Sequence, residues 1–348
     1  SPVSKTKCLG TSVTFYVTAT GSNLSYQWQK GTTDLVPGLQ ASGSTVSNET
    51  TSAVTISNLA LADVGSYRCV ITGDCGVQNS APANLTVNDS TTIITPPVGG
   101  TYCEGDEIAL NLVSDGDNLT YQWKKDGVAI SDTGNYSGTQ DAALIISSAT
   151  TNYSGAYTCL VTGACGSENS ATVTVKVNTQ SVITTQPQSK TKCEGDAVVF
   201  SVTATGSNLT YQWEKDGVPL SDLGTISGSI TPVLTITSTV DTDDGNYRCV
   251  VFGDCGVVNS DAATLAVNVY PDPAGAITGP AAVCQCNSGI IYEVAAIANA
   301  DYYIWSLPVG INILSGDSTR LIEVEFDTNE LGGNIGVRGL NSCGYGTA

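Results

Sequence analysis

The feature that most constrains this chain is that it repeats itself. Tyr26-Gln27-Trp28 recurs as Tyr121-Gln122-Trp123 and Tyr211-Gln212-Trp213. Cys8, Cys103 and Cys193 each stand 20 residues before those tryptophans. Tyr67, Tyr157 and Tyr247 are each followed two residues later by Cys69, Cys159 or Cys249. A Gly-x-Cys-Gly follows each time, holding Cys75, Cys165 and Cys255. A unit of about 90 residues written three times must close its core three times over, which excludes one large continuous core. The first copy carries five extra residues between its Trp and its Tyr, around Gly31 to Asn48.

Each copy reads as short strands. In the third, Val198-Val199-Phe200-Ser201-Val202-Thr203-Ala204 is β-rich and ends at the turn Gly206-Ser207-Asn208. Leu209-Thr210-Tyr211-Gln212-Trp213 alternates and runs into the hairpin turn Asp216-Gly217. Val233 to Thr237 alternates again, and Tyr247 to Val251 and Thr264 to Val267 complete the set. Many short strands with turn signals between them predict an all-β sandwich.

Composition narrows the function. Thirteen Lys and Arg face 32 Asp and Glu, a formal charge of −19. A nucleic-acid surface needs clustered Lys and Arg, so this balance argues against one. It also argues against docking on anionic lipid. No apolar run is long enough for a membrane-spanning helix. The chain has no His. That removes the commonest general base and the usual partner of a Ser or Cys nucleophile. The reading is therefore non-enzymatic, with no cofactor. Twelve Cys fit an oxidising compartment, and Ser1 reads as a mature or trimmed start.

The three copies resemble immunoglobulin-like domains of the I-set kind. Each Trp sits where strand C of that fold places its buried Trp. Asp63-Val64-Gly65-Ser66-Tyr67 and Asp243-Asp244-Gly245-Asn246-Tyr247 match the Asp-x-Gly-x-Tyr of the tyrosine corner before strand F. The second copy departs, with Tyr153 in place of the Asp. The strand B position that usually holds a Cys reads as Val17, Val113 or Val202. The usual intersheet disulfide is then absent, leaving Cys69, Cys159 and Cys249 as buried core residues beside Trp28, Trp123, Trp213, Tyr67, Tyr157 and Tyr247. Cys103-Glu104-Gly105-Asp106 and its copies resemble a narrower group, tandem domains of very large surface proteins of Bacteroidetes-type gliding bacteria. That resemblance implies a secreted surface protein exported by the type IX route.

Residues 269 to 348 differ. Tyr270-Pro271-Asp272-Pro273 is a stiff linker. Cys284, Tyr292-Glu293-Val294, Tyr303-Ile304-Trp305-Ser306, Ile322 to Phe326 and Asn341-Ser342-Cys343-Gly344 resemble a PKD-like β-sandwich. Trp305 is its expected buried Trp. The expected division is 1–88, 89–178 and 179–268 for the immunoglobulin-like domains and 269–348 for the PKD-like domain. That last domain reads as lacking its final strand, supplied by a longer chain or by a neighbour. Together these domains predict an elongated rod. At about 40 Å per unit it would reach roughly 150 Å.

Each immunoglobulin-like copy holds three Cys. Cys193 lies nine residues before Val202, roughly 30 Å along the strand, while Cys255 lies beyond Cys249 toward the opposite end. A disulfide needs its Cα atoms within about 7 Å. In a tandem immunoglobulin array the A–B turn of one domain faces the F–G turn of the next. That implies Cys8–Cys165, Cys103–Cys255 and Cys193–Cys343, with Cys75 and Cys284 as open or intersubunit thiols. The competing scheme is a local link, Cys69–Cys75 and its equivalents. Zinc is disfavoured, because no Cys-x2-Cys and no His is present.

Other candidates are weaker. Asp241-Thr242-Asp243-Asp244-Gly245 resembles half a calcium loop, but the same stretch is the turn before strand F. Glu104, Asp106, Glu194 and Asp196 are a second place for calcium, at domain ends. Asp89-Ser90-Thr91 and Asp317-Ser318-Thr319 fit an O-glycosylation pattern of that bacterial group, marking Ser90 and Ser318. The function expected is a non-catalytic structural or adhesive segment of a secreted cell-surface protein or extracellular filament. Its partners would be further copies or flanking domains, an extracellular glycan or a surface protein, with no nucleic acid and no membrane insertion. One alternative is a glycan- or protein-binding module using domain-tip loops such as Leu35-Val36-Pro37-Gly38-Leu39. The other is an accessory region of a larger secreted enzyme.

Overall fold

The computed structural model describes residues 1–327 and 332–347. They form two compact units, Ser1–Thr179 and Gln180–Ala348. The first holds two copies of the repeat. The second holds the third copy and the dissimilar region. Apart from three single turns of 3-10 helix, the regular structure of the described residues is strand.

Each copy is a two-sheet sandwich. In the first, the larger sheet runs Lys5–Cys8, Ala83–Asn88, Gly65–Gly73, Ser25–Lys30 and Thr33–Asp34, with Gly76–Asn79 also paired to Gly65–Gly73. Its first strand pairs parallel to its last, Lys5 against Leu85. The facing sheet contains Val13–Tyr16, Ala53–Ser57, Thr45–Ser47 and Gly38–Leu39. The alternation in the sequence is the alternation of faces: Val13 and Phe15 point inward while Tyr16 stays out.

The repeated Trp lies directly across from the repeated Cys: Trp28 with Cys69, Trp123 with Cys159 and Trp213 with Cys249. All six are fully buried. Each indole N–H finds a carbonyl, on Thr51 at 2.9 Å, Asp141 at 3.0 Å and Thr231 at 2.9 Å. The preceding Gln has its own task. Gln27, Gln122 and Gln212 each donate from Nε2 to the following Trp carbonyl and to Leu35, Ile130 or Leu220. This pins the strand that follows the turn.

The tyrosine corner forms in all three copies. The hydroxyls of Tyr67, Tyr157 and Tyr247 donate to the carbonyls of Asp63, Tyr153 and Asp243 at 2.6, 2.8 and 2.8 Å. The acceptor is main chain, so replacing Asp by Tyr153 leaves the corner intact. What Asp63 and Asp243 add is a carboxylate that accepts the N–H of Ala60 or Val240. Tyr153 instead sets its ring edge-on to Tyr136 at 5.0 Å.

Two sequence expectations need correction. In the second copy the inward position opposite the strand-F cysteine is Leu112, not Val113. Ile108, Leu110 and Leu112 point inward in phase, and Val113 is 54% exposed. A one-residue slip in a strand of period two moves the side chain to the other face. Trp305 is half-buried rather than core. It packs at the rim of the cluster of Tyr292, Ile311, Ile322, Val324 and Phe326, and its indole N–H reaches the Thr319 carbonyl at 2.8 Å.

The five extra residues of the first copy add a short strand, Gly38–Leu39, that makes a hairpin with Thr45–Ser47, the counterpart of Tyr136–Ser137 in the second copy. Ser42 and Ser44 within it both donate to Asp63 Oδ1 at 3.0 Å. The insertion is therefore tied back to the corner below it. In the dissimilar region, Ile277–Thr278, Ile290–Val294, Leu321–Phe326 and Ile311–Ser315 form one sheet. Tyr302–Ser306, Gly336–Asn341 and Gly344–Tyr345 form another. The expected missing final strand concerns chain beyond the described residues.

Candidate functional site

The chemistry of this chain gathers at the domain joints. In the first unit, Cys8 ends the strand Lys5–Cys8, and its turn is closed by the Thr11 hydroxyl and N–H donating to the Cys8 carbonyl. Cys165 sits in the turn between Gly155–Gly163 and Gly166–Asn169 of the next domain. The two sulfurs are bonded, with Cα atoms 5.6 Å apart. Asp117 and Glu168 accept main-chain N–H groups of Asp89 and Ile93 at 2.7 Å each, so the linker is held as well as stapled.

The second unit repeats this with a different fold on one side. Cys193 is bonded to Cys343, with Cα atoms 5.5 Å apart. Asn341 donates to the carbonyls of Val269 and Asn299 at 2.8 and 2.7 Å, and its Oδ1 accepts the Cys343 N–H at 2.9 Å. A single Asn thereby fixes the linker and the cysteine-bearing turn together.

The local alternative does not form. Cys69, Cys159 and Cys249 are buried thiols, while Cys75, Cys284 and Cys286 are exposed thiols. The buried set faces the core opposite Trp, out of reach of the turn. Its main-chain N–H groups accept a further constraint, each donating to a serine hydroxyl, Ser80, Ser170 or Ser260. Burial pushes the thiols of Cys159 and Cys249 up to about 11, against a smaller lowering by the Gln122 and Gln212 backbone. The thiolate is the nucleophile, so these groups are chemically quiet near neutral pH. Alkylation of the native protein at pH 8 is expected to label Cys75, Cys284 and Cys286 promptly and the buried three only after denaturation. Mass spectrometry of the labelled peptides checks it.

Three of the carboxylates singled out as calcium candidates serve turns. Asp106 and Asp196 accept the N–H of Cys103 and Cys193 at 2.7 and 3.2 Å. Asp243 accepts that of Val240 at 2.9 Å. Among the described residues, no group of three or more His, Cys, Asp and Glu is placed to hold a metal ion. Ser90 is exposed in the first linker. Ser318 is half-buried with a left-handed φ of 66°, and its carbonyl accepts the Tyr303 N–H at 3.1 Å.

Residues 2–87 match the immunoglobulin I-set domain, and residues 91–177 and 181–252 match immunoglobulin domains. Residues 270–348 match a PKD-like domain. The chain carries three immunoglobulin-like domains in tandem and one PKD-like domain. It is 30% identical to human Roundabout homolog 2 over 239 residues, 65% of this chain and 17% of that protein. It is 29% identical to mouse Hemicentin-1 over 203 residues, 57% of this chain and 4% of that protein. To chicken Protein sidekick-2 it is 29% identical over 231 residues, 62% of this chain and 10% of that protein. The chain thus spans a small part of each of these animal relatives. Among solved structures, the I-band fragment I67-I69 from titin is similar in fold, with a TM-score of 0.63 and 22% identity over 76% of this chain and 96% of the fragment.

Proposed function

We propose that these four domains are a non-catalytic, load-bearing and adhesive segment of a secreted bacterial cell-surface protein or extracellular filament. The observation that carries this reading is the disulfide across the joint in each unit, Cys8–Cys165 and Cys193–Cys343. A bridge placed between domains adds nothing to a local active site, but it limits how far neighbouring domains can part. By the same spacing we propose that Cys103 bonds Cys255, which non-reducing peptide mapping would recover as one cross-linked pair. The bacterial source and the type IX route belong to this proposal and rest on the Cys-Glu-Gly-Asp pattern. The acidic balance of 32 Asp and Glu to 13 Lys and Arg supports solubility outside the cell. Glycans at Ser90 and Ser318 would shield a linker and a turn from proteases. An intact mass of native material equal to the bare chain would remove them from the proposal.

The test is made on intact source cells. Antibodies raised against the 348-residue chain should label unpermeabilised cells or shed filaments, and deleting the coding region should reduce attachment to a surface. Labelling only after permeabilisation would overturn the reading. A second reading is favoured by one observation: Val36 and Leu39 on the first-domain insertion are 61% and 77% exposed. Saturable binding on a glycan array that is lost in Leu39→Asp would make that hairpin a recognition loop.

A further inference from the structure

One edge of the first domain differs from the same edge of its two sister domains. In the second domain Thr92–Thr95 pairs antiparallel with Val113–Asp115. In the third, Val182–Thr185 pairs with Thr203–Thr205 in the same register. Each of these strands seats an isoleucine, Ile93 or Ile183, against the buried core of its domain, as Leu119 or Leu209 also packs there. Each is preceded by a hydroxyl that fills the notch over a glycine: Thr91 Oγ1 lies where a Cβ on Gly163 would go, and Ser181 Oγ where one on Gly253 would go. The matching glycine of the first domain, Gly73, has only Leu24 and Ser22 beside it. Thr18–Thr20, the counterpart of Val113–Asp115, forms no ladder. In place of the strand is a cleft of about 210 Å³ whose lining includes Ala19, Gly21, Leu24, Ile71, Gly73 and Cys75.

Two further groups are set as in the occupied copies. Gln78 lines the cleft at the position of Glu168, whose Oε2 accepts the Ile93 N–H. Cys75 is an exposed thiol, and its counterpart Cys165 is bonded to Cys8 of the domain before it.

We propose that this edge is the docking site for a further immunoglobulin-like unit of the same repeat type. Its exit strand, of the pattern Ser/Thr-x-Ile, adds antiparallel to Thr18–Thr20. The isoleucine enters the cleft against Leu24, the hydroxyl covers Gly73, and Gln78 Oε1 accepts the strand's N–H. The unit's entry-turn cysteine then bonds Cys75. The two thiols give up two electrons and two protons to a disulfide oxidant, which leaves as two thiols. The proposal rests on the stapled-array reading and goes beyond it by naming the surface and the strand that fits it.

The test extends the full chain ahead of Ser1, because Pro97 and Pro187 of the sister domains match Pro2, and Thr95 therefore falls just before residue 1. One version adds a copy of residues 5–95 and is oxidised with oxidised glutathione. Non-reducing peptide mapping is expected to recover Cys75 bonded to the added copy of Cys8. A second version adds only a copy of residues 88–95, and alkylation of Cys75 should slow about tenfold as the thiol loses access. An Ile→Asp change in the added strand, at the position copied from Ile93, should restore the original rate. Cys75 alkylated at the unextended rate in both versions, with Cys8–Cys165 intact as the check on folding, would overturn the proposal. So would protection that survives the Ile→Asp change. Neither result depends on where the protein resides in its source, so this proposal and the surface assignment fail separately.

Discussion

Trp213→Ala should destabilise the third domain by about 3–5 kcal/mol, the range for emptying a large aromatic site in a packed core. Trp213 is fully buried, packed against Phe200 at 6.2 Å between ring centroids and directly opposite Cys249. Truncation opens a cavity and also leaves the Thr231 carbonyl without the indole N–H it accepts. Against a typical domain stability of about 5–15 kcal/mol, a loss of this size takes a large fraction of the total. Trp305→Ala is the comparison that gives the result meaning. Trp305 lies half-buried at the rim of its cluster. It should cost about 1–2 kcal/mol, in proportion to the smaller apolar area it removes from water. Urea unfolding of the two variants, followed by circular dichroism, checks both. Equal shifts would mean that the repeated Trp is not the centre of its core.

Where the sequence was legible, one residue type could do only one job. Tyr247 two residues before Cys249, after Asp-x-Gly, fixes the corner because only a hydroxyl at that reach meets the carbonyl four residues back. Asn208 before Leu209 and Asp216 before Gly217 take the left-handed φ values, 54° and 49°, that their turns require. Reading failed where phase mattered more than identity. Leu112 and Val113 are both apolar neighbours, and only the pleat decides which faces in. Trp305 shows a related limit, since a Trp in an alternating strand looks the same at a core centre and at its rim. The joints were half legible. Spacing separates Cys8 from Cys165 by 157 residues, and the fold brings them together. The empty edge beside Cys75 had no signal of its own, because it is defined by a strand its sisters draw from the linker before them. In the sisters its start is Thr91-Thr92-Ile93 and Ser181-Val182-Ile183, runs too short to show an alternation of their own.

Removing the second bridge, with Cys193→Ala and Cys343→Ala together, should fall on the PKD-like domain more than on its immunoglobulin-like neighbour. Both replacements are made at once so that no stray thiol remains. The bridge closes 150 residues of chain, and for an unstructured loop of that size the entropic model gives about 5 kcal/mol. Much of the enclosed chain folds on its own core, so the effective loop is shorter and the expected loss is about 2–4 kcal/mol. The loss concentrates where the bridge is the main restraint. Cys343 sits in the turn between Gly336–Asn341 and Gly344–Tyr345, an outer hairpin of a domain whose buried cluster, among the described residues, is smaller than that of the third copy. Cys193, by contrast, ends the strand Lys190–Cys193, which pairs residue for residue with Leu265–Asn268. Hydrogen exchange should therefore quicken across residues 336–345 while the Trp213 strand keeps its protection. If both regions loosen equally, the bridge acts on the stability of the pair as a whole. If neither does, the contacts of Asn341 with Val269 and Asn299 suffice to hold the joint, and the disulfide serves only when the domains are pulled apart.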